Sequence, residues 1–152
     1  MYKRQEYYQA IAKTFLVSCD NAHALHPNHA EKTDAVNFVT MNGGIVIKES
    51  ANQKYTTDAF SRALFTGVCQ NVNVPVQSFA NRSDVVGGST LGNLSNTQVS
   101  VHAVDFGLAQ LAMHSCFETA GVKDTEYAIV ALKEFYETNV QIEEAESVCL
   151  EK

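Results

Sequence analysis

Apolar and polar positions fall in blocks whose period changes along the chain. Residues 6–14, EYYQAIAKT, have the composition of a helix. The run FLVSC at 15–19 is short and apolar and is followed by Asp20. That is the pattern of a buried strand delivering a polar residue at its carboxyl end. Residues 20–37 are polar, rich in His, Asn and Asp, and interrupted by Pro27, which predicts a long loop. Loops of this length inside compact domains are often functional. GIVIKES at 44–50 reads as a strand opened by Gly43 and Gly44. Thr57 or Asp58 is placed to cap a helix running to about Asn71, with Ala59, Phe60, Ala63, Leu64 and Val68 on one face. Pro75 introduces a strand, VQSFA at 76–80, and a glycine-rich stretch follows at 81–97. VSVHAVDFG at 99–107 alternates and then turns apolar, a strand ending at Asp105 and Gly107. Residues 108–120 read as a loop with a short helix. Asp124 or Thr125 reads as the cap of a final helix over 126–139. The tail, 140–152, is acidic and is expected to fray.

Strands alternating with helices imply an α/β sandwich built as a single domain. In open α/β sheets functional groups lie beyond the carboxyl ends of strands. Asp20, the stretch SDVVGGST and the segment before His114 each follow a predicted strand.

Composition narrows the function classes. The chain has 152 residues, 45% hydrophobic and 18% charged, enough for one domain with a core. A formal net charge of −6 argues against nonspecific binding to nucleic acid or to an anionic membrane. No apolar run approaches the ~20 residues that span a bilayer, and the first ten residues lack the apolar core of a signal peptide. Cys19, Cys69, Cys116 and Cys149 are too widely spaced for a zinc ribbon, and reduced thiols in a cytoplasm are the expectation.

Four groups of residues carry candidate chemistry. Asp20, His23, His26 and His29 place one carboxylate and three imidazoles in ten residues, all donors that zinc accepts. The same loop also reads as histidines bonded to backbone and water, or as a pH-sensitive interface. His114, beside Leu111, Ala112 and Met113, reads on its own as a structural histidine. The run from Ser83 to Gly92 offers glycine backbone and hydroxyl donors to a ligand, or an ordinary turn into a helix capped by Ser89 or Thr90. Lys48, at a strand end, either receives a carboxylate or is solvated. A nucleophilic Cys19 with His23 is a further arrangement, for which core packing of Cys19 is the better reading.

Taken in order, these pieces resemble one family. SCDNAHALHPNHAEK, NGGIVIKESANQKYTTD, VPVQSFANRSDVVGGSTLG and VDFGLAQLAMHSCFETAG are similar to successive motifs of the M18 zinc aminopeptidases, the aspartyl aminopeptidase type, between about Tyr7 and Thr138. The resemblance implies part of an α/β/α sandwich and a two-zinc exopeptidase acting on N-terminal, acidic residues of peptides. It implies Asp20 as a ligand of one Zn2+ and His114 as a ligand of the other. His23 and Lys48 are implied near the substrate, with Lys48 receiving its acidic side chain, and Gly87, Gly88 and Ser89 near the same site. The family's other ligands, its general-base Glu and its dimerisation domain have no counterpart in these residues. The expectation is therefore a carboxyl-terminal portion, inactive by itself, of an enzyme that is a cytoplasmic homo-oligomer. A non-catalytic zinc-binding or interaction module is the alternative.

Overall fold

The computed structural model describes residues 3–144 and 147–151. In chain order the first half holds helix α1 (Arg4–Ala12), strands β1 (Phe15–Cys19) and β2 (Ala22–His23), a 3-10 turn (Ala30–Lys32), β3 (Ile45–Glu49) and α2 (Ala59–Asn71). The second half holds β4 (Val76–Ala80), α3 (Leu91–Asn96), β5 (His102–Gly107), β6 (Ala109–Leu111), β7 (Thr119–Ala120), α4 (Val122–Glu137), β8 (Asn139–Glu144) and β9 (Ser147–Glu151).

The main sheet has the order β1-β5-β3-β4. β1 and β5 are parallel, β3 and β4 are parallel, and the two pairs meet antiparallel, with Ile47 opposite Phe106. Because the pairs oppose each other, the carboxyl ends of the strands do not share one rim, contrary to the expectation from an open α/β sheet. Alternation along each strand instead sorts side chains onto two faces. One face carries Ile45, Ile47, Val104 and Phe106, which pack with Phe65 and Cys69 of α2 and Ala128 and Ala131 of α4. The other carries Val46 and Phe79, packed with Ala22, Ala24, Val39, Tyr55 and Ala109 under the small sheet β2-β6-β7. α3 packs against β1 and β5. This is the α/β architecture the sequence implies.

The local differences from the sequence reading have identifiable causes. α2 is capped by Asp58, whose carboxylate accepts the Ser61 N–H at 2.7 Å. Its buried face is Ser61, Leu64, Phe65, Val68 and Cys69 rather than one centred on Ala59, Phe60 and Ala63. Ser61 can be buried because the cap satisfies it, and the face turns to bury the larger Phe65. α4 starts at Val122, earlier than its expected caps. Asp124 is buried and does not cap its own helix; its carboxylate accepts the N–H groups of Asn42 at 2.6 Å and Gly44 at 3.0 Å. Gly44 has φ +108, and a side chain there would sit 2.2 Å from the Pro75 carbonyl oxygen, so only glycine fits that turn. Residues 108–120 hold no helix; β6 and β7 pair antiparallel around a turn with Ala112 and His114 in the left-handed region. The described residues of the tail are paired rather than frayed. β8 and β9 form an antiparallel hairpin whose half-buried residues Val140, Ile142, Val148 and Leu150 alternate with outward polar ones. Leu150 reaches α2 at Gly67.

The cysteines are free. Burial pushes the Cys69 thiol up to about 12, while Cys19, Cys116 and Cys149 are exposed. Cys19 is therefore not a core residue, contrary to the sequence reading. Partial desolvation and the adjacent Asp20 carboxylate raise its thiol, which disfavours a nucleophilic thiolate. Under native conditions a thiol reagent is expected to label Cys19, Cys116 and Cys149, and Cys69 only after denaturant is added. Mass spectrometry showing Cys69 labelled in the folded chain at a comparable rate would contradict this packing.

Candidate functional site

A cavity of about 820 Å³ opens on the sheet face opposite α2 and α4. Asp20, His23, Lys48, Gly87, Gly88, Ser89 and His114 all line it, although they come from four separate stretches of chain.

Asp20 follows β1. Its N–H donates to the Phe106 carbonyl at 2.8 Å, which extends the pairing with β5 by one residue. This approach requires glycine at 107, where a Cβ would lie 2.0 Å from the Asp20 carbonyl oxygen. Lys48 projects from β3 and is only 3% exposed. Its ammonium donates to the Asp20 carboxylate at 2.9 Å, the Asn21 carbonyl at 3.1 Å and the Asp20 carbonyl at 3.4 Å. It also lies 4.6 Å from the centre of the Tyr55 ring. All three of its donors are thus engaged, and the solvated alternative is excluded.

Tyr55, which the sequence reading did not single out, is the hub of the cavity wall. Its hydroxyl accepts from Asn81 at 3.0 Å, and Asn81 abuts Gly87. The next residue, Thr56, donates its N–H and O–H to the fully buried Asp105 at 2.6 and 2.8 Å. The signal that marks Tyr55 is its place seven residues beyond Lys48 in the stretch KESANQKY. Arg82 ties two walls together. It donates to the Asp84 carboxylate from Nε at 2.9 Å and to the carbonyl of Glu31 in the histidine-rich loop. His26 and His29 stand 5.1 Å apart, ring to ring, on the same rim.

His114 sits on the tight turn between β6 and β7. Its φ of 67 and that of Ala112, 56, place two non-glycine residues in a conformation that costs about 1–2 kcal/mol each. The His114 N–H is held by the Glu118 carboxylate at 2.5 Å. Such strain is retained where the surrounding structure fixes it and is common at functional sites.

His23 is partly exposed, yet its imidazole titrates below its ordinary value of 6.5, because of desolvation first, then Lys48 and His114. The folded state therefore favours the neutral ring. His23 leaves stability intact above 6.5 and costs stability as pH falls from 6.5 through the lowered folded value. In an NMR titration its midpoint is expected below 6.5, and Lys48→Met is expected to move it upward. A midpoint at or above 6.5 in the unsubstituted chain would contradict this environment.

Among the described residues no group of three or more His, Cys, Asp or Glu side chains is arranged to hold a metal ion. The Asp20 carboxylate is engaged by Lys48. Catalytic zinc normally takes three protein ligands and water. The residues present do not make up such a site by themselves.

Comparisons with known proteins agree on one family. The profile of the aminopeptidase I zinc metalloproteases (M18) matches residues 1–136, which includes the first residues that carry no quoted motif. A probable M18 family aminopeptidase 2 from Clostridium novyi is 46% identical over 133 residues, covering 88% of this chain and 31% of that protein. One of the same description from Pseudomonas aeruginosa is 47% identical over 128 residues, covering 84% of this chain and 30% of that protein. Among solved structures, the Ape4 and Nbr1 complex matches with a TM-score of 0.88 and 39% identity over 90% of this chain and 26% of the other. The S. cerevisiae mApe1 dodecamer matches with a TM-score of 0.76 and 26% identity over 86% of this chain and 28% of the other. The chain thus spans about a third of the length of the curated relatives it matches.

Proposed function

Because the chain belongs to the M18 family of aminopeptidase I zinc metalloproteases, we propose that it forms the carboxyl-terminal share of a zinc aminopeptidase site that removes acidic N-terminal residues from peptides. The observation that carries this reading is the convergence of Asp20, His23, Lys48, Gly87, Gly88, Ser89 and His114 on one cavity. In it Asp20 serves one zinc and His114 the other. The remaining ligands and the general-base carboxylate come from residues outside this chain. The chain alone is then inactive.

His23, Gly87, Gly88 and Ser89 border the peptide. Lys48 receives the acidic side chain, and does so by exchanging its longest bond, 3.4 Å to the Asp20 carbonyl, for the substrate carboxylate. Such a charge-assisted bond favours a carboxylate, since a neutral apolar side chain offers the buried ammonium nothing in exchange for the bond to the Asp20 carbonyl. Free thiols are consistent with a cytoplasmic setting. Assembly as a homo-oligomer draws support from the dodecamer among the matching structures.

The test is reconstitution. The amino-terminal two thirds of the Clostridium novyi relative, expressed together with this chain and supplied with zinc, are expected to hydrolyse aspartyl and glutamyl p-nitroanilides. A stable complex without turnover would overturn the reading.

A further inference from the structure

Residues 51–54 form an exposed turn after β3, yet Tyr55, the next residue, is buried. The cause lies on β5. That strand pairs with β3 only at Gly107 with Val46 and at Phe106 with Ile47. One residue back along β5, Asp105 bonds to residues 56 and 57 instead. Its N–H donates to the Thr57 hydroxyl oxygen at 2.9 Å, and that hydroxyl donates to the Asp105 carbonyl at 3.4 Å. Its side-chain Oδ2 accepts both the N–H and the hydroxyl of Thr56, at 2.6 and 2.8 Å. The other oxygen, Oδ1, is buried with no hydrogen-bond partner among the described residues. It is closed in by α3, since a Cβ on Gly92 would lie 3.1 Å from it. The carboxyl group therefore has no room to swing away from Thr56. A buried oxygen left unpaired costs stability, and such local costs collect at functional sites.

We propose that Asp105 is a positioning residue. By clamping Thr56 and Thr57 onto β5 it sets the Tyr55 ring against the Lys48 ammonium, and so sets how Lys48 meets an acidic side chain. The inference rests on the reading of Lys48 as the receiver of that side chain. Asp105 is fully buried behind the cavity wall and acts only through its neighbours. The remaining anchors of Tyr55 hold its ring and not its backbone: Asn81 donates to the hydroxyl at 3.0 Å, and Phe79 lies 6.5 Å away, centre to centre. The ring in turn lies 4.6 Å from the Lys48 ammonium, where its electron-rich face attracts the cation. Without the clamp, Tyr55 follows an exposed turn, and the ammonium loses the wall that holds it in line. A single oxygen serves both Thr56 donors, so Asn at 105 is sufficient for the clamp and an apolar residue is not.

Two measurements test it. In the 152-residue chain, NMR reads the upfield ring-current displacement of the Lys48 ε-methylene protons, with Tyr55→Leu as the reference that lacks the ring. Asp105→Leu is expected to remove most of that displacement and Asp105→Asn to keep it. Thr56→Val, which loses one of the two donors and is nearly isosteric, is expected to reduce it, and decides the matter if Asp105→Leu does not fold by circular dichroism. In the assembly reconstituted with the amino-terminal part of the Clostridium novyi relative, Asp105→Leu is expected to raise KM for aspartyl p-nitroanilide about tenfold with a much smaller change in kcat, and Asp105→Asn to restore it. A Lys48 signal unmoved in both Asp105→Leu and Thr56→Val would overturn the proposal. So would an Asp105→Asn variant as impaired as Asp105→Leu, or a loss confined to kcat. An unsubstituted assembly without turnover would overturn the peptidase reading instead, and the Lys48 signal would still decide whether Asp105 places Tyr55.

Discussion

Asp124→Ala is expected to lower the stability of the chain by about 3–5 kcal/mol, a large part of the ~5–15 kcal/mol typical of a folded domain. The carboxylate is fully buried and accepts two backbone N–H groups, from Asn42 and Gly44. Each charge-assisted bond contributes about 1.5–3 kcal/mol, and removing the acceptor strands both donors away from water. The same turn is tied down a second time, because the Asn42 side chain accepts the Lys123 N–H at 3.0 Å. The substitution therefore loosens the start of α4 and the entry to β3, the strand that carries Lys48. Asp124→Asn retains one acceptor and is expected to cost roughly half as much. Urea titration followed by far-ultraviolet circular dichroism checks both. A loss below about 1 kcal/mol for Asp124→Ala would mean that the turn is held by something else.

The largest functional effect is expected at Asp20 and His114. In a reconstituted enzyme, Asp20→Asn and His114→Ala are each expected to abolish zinc-dependent hydrolysis. Asn is the useful replacement at Asp20 because it keeps an oxygen for Lys48. Asp20→Ala would leave a buried ammonium with only carbonyl partners and confuse folding with function. Lys48→Met is expected to behave differently, raising KM for aspartyl and glutamyl substrates more than it lowers kcat. That split separates loss of substrate recognition from loss of the metal site. Equal losses of kcat in all three variants, with folding intact, would instead assign Lys48 to holding Asp20 in place.

Much of the fold was legible in the sequence because its signals are local. The apolar run before Asp20, the Asp58 cap and the strand after Pro75 each depend on a few neighbouring residues, and each stands where it was read. What the sequence hid depends on distant partners. Asp124 looked like a helix cap because its real partners, Asn42 and Gly44, lie some eighty residues away. The β8–β9 hairpin looked like a solvated tail because its glutamates mask an alternation of Val140, Ile142, Val148 and Leu150. The short helix expected within 108–120 fails because Ala112 and His114 adopt left-handed backbone that no propensity reveals.

The candidate site divides in the same way. Residue types and family motifs pointed to Asp20, His23, Lys48, the glycines and His114, and the fold gathers them around one cavity. The bonds among them were not legible. Nothing in the local sequence around Lys48 announces that its ammonium is saturated by Asp20 and Asn21, or that Tyr55, Asn81 and Asp105 brace the wall around it.

The central claim, that this chain carries one ligand for each of two zincs and cannot work alone, is tested most directly by one assay. The purified chain, supplied with zinc, is mixed with aspartyl p-nitroanilide, alongside its Asp20→Asn variant. The expected result is no turnover above background for either protein. Clear zinc-dependent turnover by the chain, lost in Asp20→Asn, would contradict the account.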